Sequence, residues 1–380
     1  MNSRKIVIIN QAVNYLTIGI CNEFSKQYEV TSLITGSIHV QGEELSETIK
    51  VTYIKKWKEE HGIAKIFNYI KATIQIWWLL ITKYRSYEVF FISLPPMGYL
   101  LNLFCWHKFS MLIWDVYPDV FKITGMQESH LLYKVWAYLN KLSFKKAYKM
   151  FTIGERMADL LSVYVPREKL IIQPIWSIFQ ENKKIPKAEN PFVTEHQLEE
   201  KFVVQYSGNI GLTHNVEALI DLAKTMTNHS NIVFQIIGRG PRKRLLEKRV
   251  TDENIANCQF LPFQLDELFP YSLSAADLGV VILDEATSKG SVPSKSYNLM
   301  SYGIPSLYIA SKDSELSYYA EHYRHAKCFE KDELEDIVEY IVTLTTDKEV
   351  YKVYSKNALA AAEHYKRENA AKLVESYVKE

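Results

Sequence analysis

The stretch Ser291-Val-Pro-Ser-Lys-Ser-Tyr-Asn-Leu-Met-Ser-Tyr-Gly-Ile-Pro305 predicts a loop, a short helix and then a buried strand. Pro293 ends the preceding segment because its ring fixes φ, and Ser294 is a good N-cap residue. A glycine and a proline then stop the helix. The helix start would bring free backbone N–H groups, the positive end of the helix dipole and the Lys295 ammonium together. Such a combination suits a phosphate or diphosphate, although an ordinary capped helix with a solvated lysine fits the same sequence.

The size and composition of the chain favour two globular domains. A chain of 380 residues is too long for one ordinary core. The four cysteines are far apart and the ten histidines form no ligand pattern, so we predict neither disulfides nor a metal site. No signal peptide or convincing transmembrane segment is visible, which favours a cytoplasmic protein.

Charge is distributed unevenly between the two halves. Residues 1–180 hold 21 Lys and Arg against 14 Asp and Glu, whereas the whole chain has a net charge of only +1. This asymmetry, together with the aromatic and lysine-dotted segment 63–81, predicts peripheral contact with an anionic membrane on its inner face. Chance distribution of solvated charge and core packing of the apolar residues are the alternatives. Nucleic acid is a poor fit, because no arginine-rich stripe interleaved with aromatics occurs.

Apolar runs alternate with helical patterns in both halves, which predicts two doubly wound, Rossmann-like parallel sheets. Ligands of such sheets bind outside the carboxyl ends of the strands, so we expect the site in a central cleft between facing domains. The predicted strands are 6–9, 30–34, 89–92, 111–113, 150–153, 202–206, 232–237, 258–261, 278–282 and 305–309. The predicted division is an N-terminal acceptor domain 1–172, a proline-containing linker 173–200, a donor domain 201–350, and a C-terminal helix 351–380 that packs back toward the N-terminal domain.

Two glycine turns follow strands in the second half. Residues 206–211 (YSGNIG) and 237–241 (IGRGP) each lie between a strand and a helix. Glycines there let the backbone approach a ligand closely, and Arg239 could reach an anion. Tight chain reversal without any ligand is the alternative for each turn.

Two strand-end loops in the first half also carry candidate residues. Asp115 and Asp119 bracket a turn that Pro118 stiffens, and Pro95 lies in a second loop. Carboxylates at a strand end could orient sugar hydroxyls or act as a base. The alternative is turn capping, in which an Asp side chain accepts from nearby N–H groups.

Taken together, these motifs resemble the retaining GT-B glycosyltransferases of family 4, in the branch that builds bacterial O-antigen or capsular repeat units. The resemblance covers nearly the whole chain with consistent order and spacing. It is carried by residues 28–36 (YEVTSLITG), 93–97 (SLPPM), 115–119 (DVYPD), 206–211 (YSGNIG), 275–277 (AAD), 292–297 (VPSKSY) and 303–305 (GIP).

The chain departs from the family at the donor contacts. Two glutamates that the family often carries fall on Gly290 and Asn298. An amide can still bond a hydroxyl, but without charge assistance. The usual phosphate-binding Arg and Lys fall on Asn209 and His214. These departures keep a second interpretation open, in which the chain is a non-catalytic GT-B subunit beside an active partner.

The resemblance implies a metal-independent retaining enzyme that moves a sugar from a nucleotide-sugar donor, with UDP favoured, to a lipid-linked saccharide, without any cofactor. A sugar-nucleotide epimerase and, more distantly, a nicotinamide-dependent dehydrogenase are further alternatives. The implied catalytic residues are Asp115, Arg239 and Lys295. The implied donor-binding residues are Gly208, Asn209, Gly211, Gly238, Arg239, Pro262, Phe263, Ser294, Lys295 and Asn298, and the implied acceptor-binding residues are Pro95, Asp115 and Asp119.

Overall fold

The structure is a computed structural model that describes residues 4–56, 63–179, 183–211, 215–284, 288 and 290–379. The chain forms two compact units. Unit 1 consists of Met1–Ile178 and Arg367–Glu380, and unit 2 of Phe179–Lys366.

Unit 1 is built on a seven-stranded parallel sheet in the order β5-β3-β1-β6-β7-β8-β9. The order reverses between β1 and β6, as in doubly wound folds. The strands are β1 (Lys5–Ile9), β2 (Ala12–Val13), β3 (Val30–Thr35), β4 (Ser37–Ile38), β5 (Lys50–Tyr53), β6 (Glu88–Ile92), β7 (Phe109–Ile113), β8 (Met150–Thr152) and β9 (Leu170–Ile172), of which β2 and β4 pair separately. The helices of the first 178 residues are α1 (Tyr15–Gln27), α2 (Ile63–Ile81), α3 (Leu131–Lys146) and α4 (Glu155–Leu161), with 3₁₀ segments at Gly98–Phe104, Asp119–Thr124 and Arg167–Lys169.

The two faces of this sheet are covered by different helices. One face packs on α2, α3 and α4 through a cluster that includes Ile76, Phe91 and Trp136. On the other face, Phe90 packs against Phe24 of α1 and against Tyr377, with ring centroids 5.0 and 5.5 Å away. Successive residues of a strand point to opposite faces, so β6 supplies both cores.

Unit 2 repeats the arrangement with six parallel strands in the order β12-β11-β10-β13-β14-β15, which reverses between β10 and β13. Its strands are β10 (Phe202–Asn209), β11 (Ile232–Arg239), β12 (Cys258–Leu261), β13 (Leu278–Ile282), β14 (Ser306–Ile309) and β15 (Ala326–Phe329). Its helices are α5 (Pro191–Glu195), α6 (Glu217–Thr225), α7 (Lys243–Asp252), α8 (Phe269–Ser274), α9 (Lys295–Ser301), α10 (Glu315–Tyr323), α11 (Leu334–Thr346) and α12 (Lys348–Ala362), with a 3₁₀ turn at Lys187–Glu189; a final helix, α13 (Asn369–Val378), belongs to unit 1.

Two boundaries differ from the sequence prediction. Part of the predicted linker is folded into unit 2: Asn190 caps α5 by accepting from the Phe192 N–H at 3.0 Å, and Phe192 and Val193 are buried beside β10 and β11. The predicted single helix 351–380 is two helices, α12 and α13, which belong to different units. Prolines suggested a linker, yet Pro191 takes the first helical turn, where its missing N–H costs nothing.

All ten predicted strands are present, and the doubly wound parallel sheets are confirmed. The prediction missed β5, β9 and β15, besides the two-residue strands. These three lie at sheet edges and are only partly buried, so their sequences lack the continuous apolar run of a central strand.

Candidate functional site

Glycine backbone lies at the carboxyl ends of β10 and β11 in unit 2. In the register of β10 and β11, Gly208 faces Gly238 and Asn209 faces Arg239. A Cβ on Gly238, whose φ is +157°, would lie 1.9 Å from the Gly208 carbonyl oxygen, and one on Gly240 would lie 2.2 Å from that of Ile210. Glycine is therefore required for these loops to pass so closely, which leaves main-chain groups accessible at this edge of the sheet.

Lys295 lies directly over this glycine edge. The residue begins α9, the helix between β13 and β14, and its ammonium donates to the Tyr206 hydroxyl at 3.1 Å. The same nitrogen is 4.4 Å from the centre of the Tyr206 ring. A Cβ on Gly208 would lie 2.1 Å from Lys295 Nζ, so this glycine also provides the space in which the ammonium sits.

The ammonium of Lys295 has no carboxylate partner among the described residues. Burial lowers the pKa of Lys295 to about 8. The Tyr206 hydroxyl donates to the Asn209 carbonyl at 2.7 Å, and burial raises its pKa, so the ring stays neutral. A partly desolvated cation without a counter-ion favours an incoming anion, because the anion supplies the missing charge.

The start of α9 differs from the prediction in its capping. Ser294 occupies the N-cap position with helical angles (φ −59°, ψ −19°), and its side chain makes no capping hydrogen bond. The Ser296 N–H donates instead to the Pro293 carbonyl at 3.1 Å, so the first turn starts one residue earlier than a serine cap would place it. At the other end, Gly303 has a φ of +63° and stops the helix as its sequence predicts.

A cation and an exposed ring meet at the neighbouring strand ends. The Arg239 guanidinium lies 4.8 Å from the centre of the Phe263 ring, and both side chains are exposed beside Pro262. Arg242, three residues further on, is ion-paired with Glu217. Arg239 therefore faces an aromatic ring, whereas Arg242 faces a carboxylate.

The remaining predicted donor residues occupy the same edge or lie close to it in sequence. Asn209 is exposed, and its amide nitrogen lies 2.8 Å from the position of a Cβ on Gly211. Asn298 is half-buried in α9, one turn after Lys295, and Gly290 lies in a turn before that helix. His214 lies outside the described residues.

A polar pocket that the sequence did not reveal opens at the carboxyl ends of β13, β14 and β15. Its volume is about 300 Å³. The loops after β14 and β15 carry no glycine motif, so only the strand order brings them together with the β13 loop. Its polar lining includes Asn215, Asp284, Ser311, Glu330, Lys331 and Asp332.

A model of a known protein family matches most of unit 2. Residues 187–360 match the family model described as "Glycosyl transferases group 1". This part of unit 2 is therefore similar to the group 1 glycosyltransferases. The Gly208–Gly238 edge and Lys295 both lie within the matched residues.

Two bacterial relatives match the chain in part. The probable glycosyltransferase WbjE of Pseudomonas aeruginosa is 25% identical over 232 residues, which cover 60% of this chain and 56% of that protein. The putative colanic acid biosynthesis glycosyl transferase WcaI of Escherichia coli K12 is 28% identical over 178 residues, covering 46% and 43%. The chain thus matches about half the length of each relative.

The fold of the chain is also found in solved structures. That of Anabaena Alr3699/HepE in complex with UDP and glucose matches with a TM-score of 0.71 at 12% identity, covering 99% of each chain. At this identity the likeness shows the fold alone. With its two parallel sheets, the chain has the GT-B fold, as the sequence motifs implied.

The candidate acceptor residues of unit 1 are in two different environments. The Asp119 carboxylate accepts from the Tyr133 hydroxyl at 2.8 Å and from the Tyr164 hydroxyl, and it pairs with Lys122 at 2.8 Å. Asp115 is half-buried, and burial raises the pKa of its carboxyl. Pro95 is buried in the loop after β6, behind a cis peptide bond. Asp119 therefore anchors α3 and the segment after α4, whereas Asp115 follows β7 without such partners among the described residues.

Proposed function

We propose that this protein transfers a sugar from a nucleotide-sugar donor, a UDP-sugar in first place, to a lipid-linked saccharide acceptor during bacterial surface-polysaccharide synthesis, with retention of anomeric configuration. The group 1 domain supports the transferase class. The name of WcaI supports polysaccharide synthesis, and the UDP and glucose bound by HepE support the donor class. In this proposal the acceptor is reached from the cytoplasmic face of the membrane.

The observation that carries the proposal is the Lys295 ammonium above the glycine edge of β10 and β11, which has no carboxylate partner among the described residues. In our proposal the donor diphosphate binds there, between the accessible main chain of Gly208 and the two cations Lys295 and Arg239. The exposed Phe263 and Pro262 offer an apolar surface beside Arg239 on which a nucleobase can stack. Asn209, Gly211, Gly238, Ser294 and Asn298 complete the proposed donor site.

The proposed chemistry needs positive charge more than it needs a base. As the bond between the sugar C1 and the diphosphate oxygen breaks, negative charge grows on the leaving nucleoside diphosphate. Preorganised cations at that position stabilise the transition state more than the ground state. Losing the Lys295 ammonium should therefore cost about 3 kcal/mol, or roughly a hundredfold in rate.

Asp115 is the proposed acceptor contact in unit 1, with Pro95 and Asp119 shaping the same strand-end region. In a retaining transfer the departing phosphate can take the acceptor proton, so Asp115 need only orient a hydroxyl. Burial raises the pKa of the Asp115 carboxyl, and its oxygens can accept a hydrogen bond from an acceptor hydroxyl. Asp119, with three internal donors, has less capacity for a ligand.

A second candidate function is a non-catalytic GT-B subunit, and one observation favours it. Gly290 and Asn298 stand where the resembled family carries glutamates. The position of the Lys295 ammonium over Gly208 argues against a non-catalytic subunit. A subunit that binds no donor has no need for a partly desolvated ammonium that lacks a carboxylate partner among the described residues.

Nucleotide binding tests the proposal. Thermal unfolding is compared with UDP, GDP, ADP, CMP and dTDP for the wild-type chain, Lys295→Ala and the control Lys224→Ala, whose lysine pairs with Glu253 elsewhere in unit 2. A nucleotide at about 100 times its Kd should add about 2.7 kcal/mol of stability. We expect a shift with UDP in the wild type and the control that is lost in Lys295→Ala. No shift with any nucleotide would favour the non-catalytic subunit, and UDP release from a UDP-sugar would then be absent too.

A further inference from the structure

Helix α2 in unit 1 exposes many apolar residues, whereas two of its polar residues bond to neighbouring segments of the chain. Asn68 is buried, accepts from the Gln11 amide at 3.0 Å and donates to the Lys56 carbonyl at 3.1 Å. Gln75 accepts from the Lys55 N–H at 2.8 Å. These internal bonds fix the rotation of the helix about its axis, so its outward face is set by the fold.

That outward face is almost wholly apolar. Phe67 is 67% exposed, Ile74 59% and Trp78 58%, and Ile66, Ile70 and Trp77 are exposed beside them. Among the exposed residues of α2 whose side chains the structure describes, only Lys71 is charged. An ordinary surface helix shows the opposite pattern, with charged residues outside. A contiguous apolar face of this kind indicates a partner.

The face continues onto the neighbouring segment 98–108. Phe104 is 65% exposed and Trp106 62%. Between α2 and the 3₁₀ segment Gly98–Phe104 lies an apolar groove of about 180 Å³. Its lining consists of Thr73, Ile74, Trp77, Leu101 and Phe104.

The charged residues within the three segments of this face are all of one sign. Neither α2, α3 nor the segment 98–108 contains an Asp or Glu, while Lys65, Lys71, Lys134, Lys141 and Lys145 lie on the two helices. Helix α3 adjoins the segment, since Asn102 donates to the Ser143 carbonyl at 2.8 Å. Tyr138 and Leu142 of α3 are exposed too. The partner must therefore offer hydrocarbon and negative charge together.

We propose that α2, the segment 98–108 and α3 form a docking surface for an anionic lipid bilayer, with a lipid chain in the apolar groove. Tryptophans favour the boundary between lipid headgroups and chains, and lysines bind the lipid phosphates. The described residues contain no helix suited to crossing a membrane, so α2 would lie along the bilayer surface. A second copy of the chain is disfavoured as occupant, because it would bring the same lysines face to face. The surface extends the proposed function, on which its biological role rests, by bringing unit 1 to the layer that holds a lipid-linked acceptor.

Vesicle flotation tests the docking surface. The full chain is mixed with vesicles of phosphatidylcholine alone or of phosphatidylcholine with phosphatidylglycerol, at low and high salt. The test variant is Trp77→Gln/Trp78→Gln/Phe104→Gln, and Lys71→Gln/Lys141→Gln tests the charges. The matched control is Leu245→Gln/Val353→Gln, which removes exposed apolar residues from unit 2.

We expect flotation with the anionic vesicles that falls about tenfold or more in the aromatic variant, equal to a loss of about 1.4 kcal/mol, and is unchanged in the control. The lysine variant and high salt should both weaken it. Equal flotation of the wild type and the aromatic variant, or no flotation with anionic vesicles, overturns the proposal. So does a self-association that the aromatic substitutions abolish while vesicles have no effect. UDP-induced thermal shifts on the same variants keep the two proposals separate, because loss of vesicle binding leaves donor binding intact.

Discussion

The carboxyl edges of the two sheets are built in opposite ways. In unit 2 the edge consists of glycine backbone and a lysine with no carboxylate partner among the described residues. In unit 1 one of the two candidate carboxylates is bonded internally: Asp119 accepts from Tyr133 and Tyr164 and pairs with Lys122, whereas Asp115 has no such partners among the described residues. The contrast is therefore between Lys295, a cation without a carboxylate partner among the described residues, and Asp119, a carboxylate that stabilises the fold. In our proposal the unit 2 edge receives the charged ligand.

The largest expected effect comes from filling the space at a glycine. Gly238→Ala places a methyl group 1.9 Å from the Gly208 carbonyl oxygen, so β10 and β11 must separate, at about 3 kcal/mol. Gly125→Ala in unit 1 meets no atom within 4 Å and costs the strain of its φ of +83°, about 1–2 kcal/mol. Urea unfolding monitored by circular dichroism compares the two variants. Equal losses in the free energy of unfolding would mean that the close approach of β10 and β11 adds nothing to the cost of the substitution.

Charge removal should have opposite consequences at the two edges. Asp119→Asn weakens charge-assisted bonds to two tyrosines and a lysine and should destabilise the protein by about 2 kcal/mol. Lys295→Met removes a partly desolvated, unpaired ammonium and should leave the unfolding temperature equal or higher while nucleotide binding is lost. Calorimetry with and without UDP measures both effects. A strongly destabilised Lys295→Met would contradict the contrast.

Because of the pKa of Lys295, its contribution to stability and the affinity for UDP should both depend on pH. Because its folded pKa of about 8 lies below the ordinary value of 10.5, the unfolded chain binds more protons between those values. The Lys295 contribution to the free energy of unfolding therefore rises with pH across that window. Affinity for UDP should move the other way and fall about tenfold per pH unit above pH 8, as the ammonium deprotonates. Titration calorimetry from pH 7 to 10 checks this, and Lys295→Ala, already weak, should show a flat profile.

The smallest effect concerns the aromatic beside Arg239. Phe263→Leu keeps apolar volume but removes the ring that faces the guanidinium at 4.8 Å. A cation–π contact at an exposed site contributes about 0.5–1 kcal/mol, so UDP affinity should fall about two- to fivefold. Leu265→Ala, at an exposed apolar position two residues away, is the matched control. An unchanged Kd would remove Phe263 from the proposed donor site.

The sequence predicted the strands that carry the proposed donor site, but not the contacts of its side chains. Central strands are buried on both faces, so their apolar runs are visible, and glycines stand at the ends of β10 and β11. The contact between Lys295 and Tyr206 joins residues 89 positions apart and depends on the strand order, which no local pattern contains. The motif around Lys295 indicated an anion site, but not that the ammonium lies over Gly208.

Side-chain pairing limited the prediction in unit 1. Asp119 and Asp115 look equivalent in sequence, and only the packing of Tyr133 and Tyr164 separates an anchored carboxylate from one that is half-buried without those partners. Core packing was the alternative interpretation of the apolar residues of α2. Many of them face outward, while Asn68 of the same helix is buried and bonded to Gln11.

The membership of α13 in unit 1 constrains how the chain matures during synthesis. Tyr377 is buried against Phe24 and Phe90, and its hydroxyl donates to Glu88 at 2.8 Å. Arg367, just before this helix, is ion-paired with Glu43. The partners named here leave the ribosome long before these two residues, with the whole of unit 2 translated in between. Unit 2 can thus complete its core first, while the Phe90 face of the nascent unit 1 sheet is covered by α1 but not yet by α13, in the interval when chaperones would be expected to bind it.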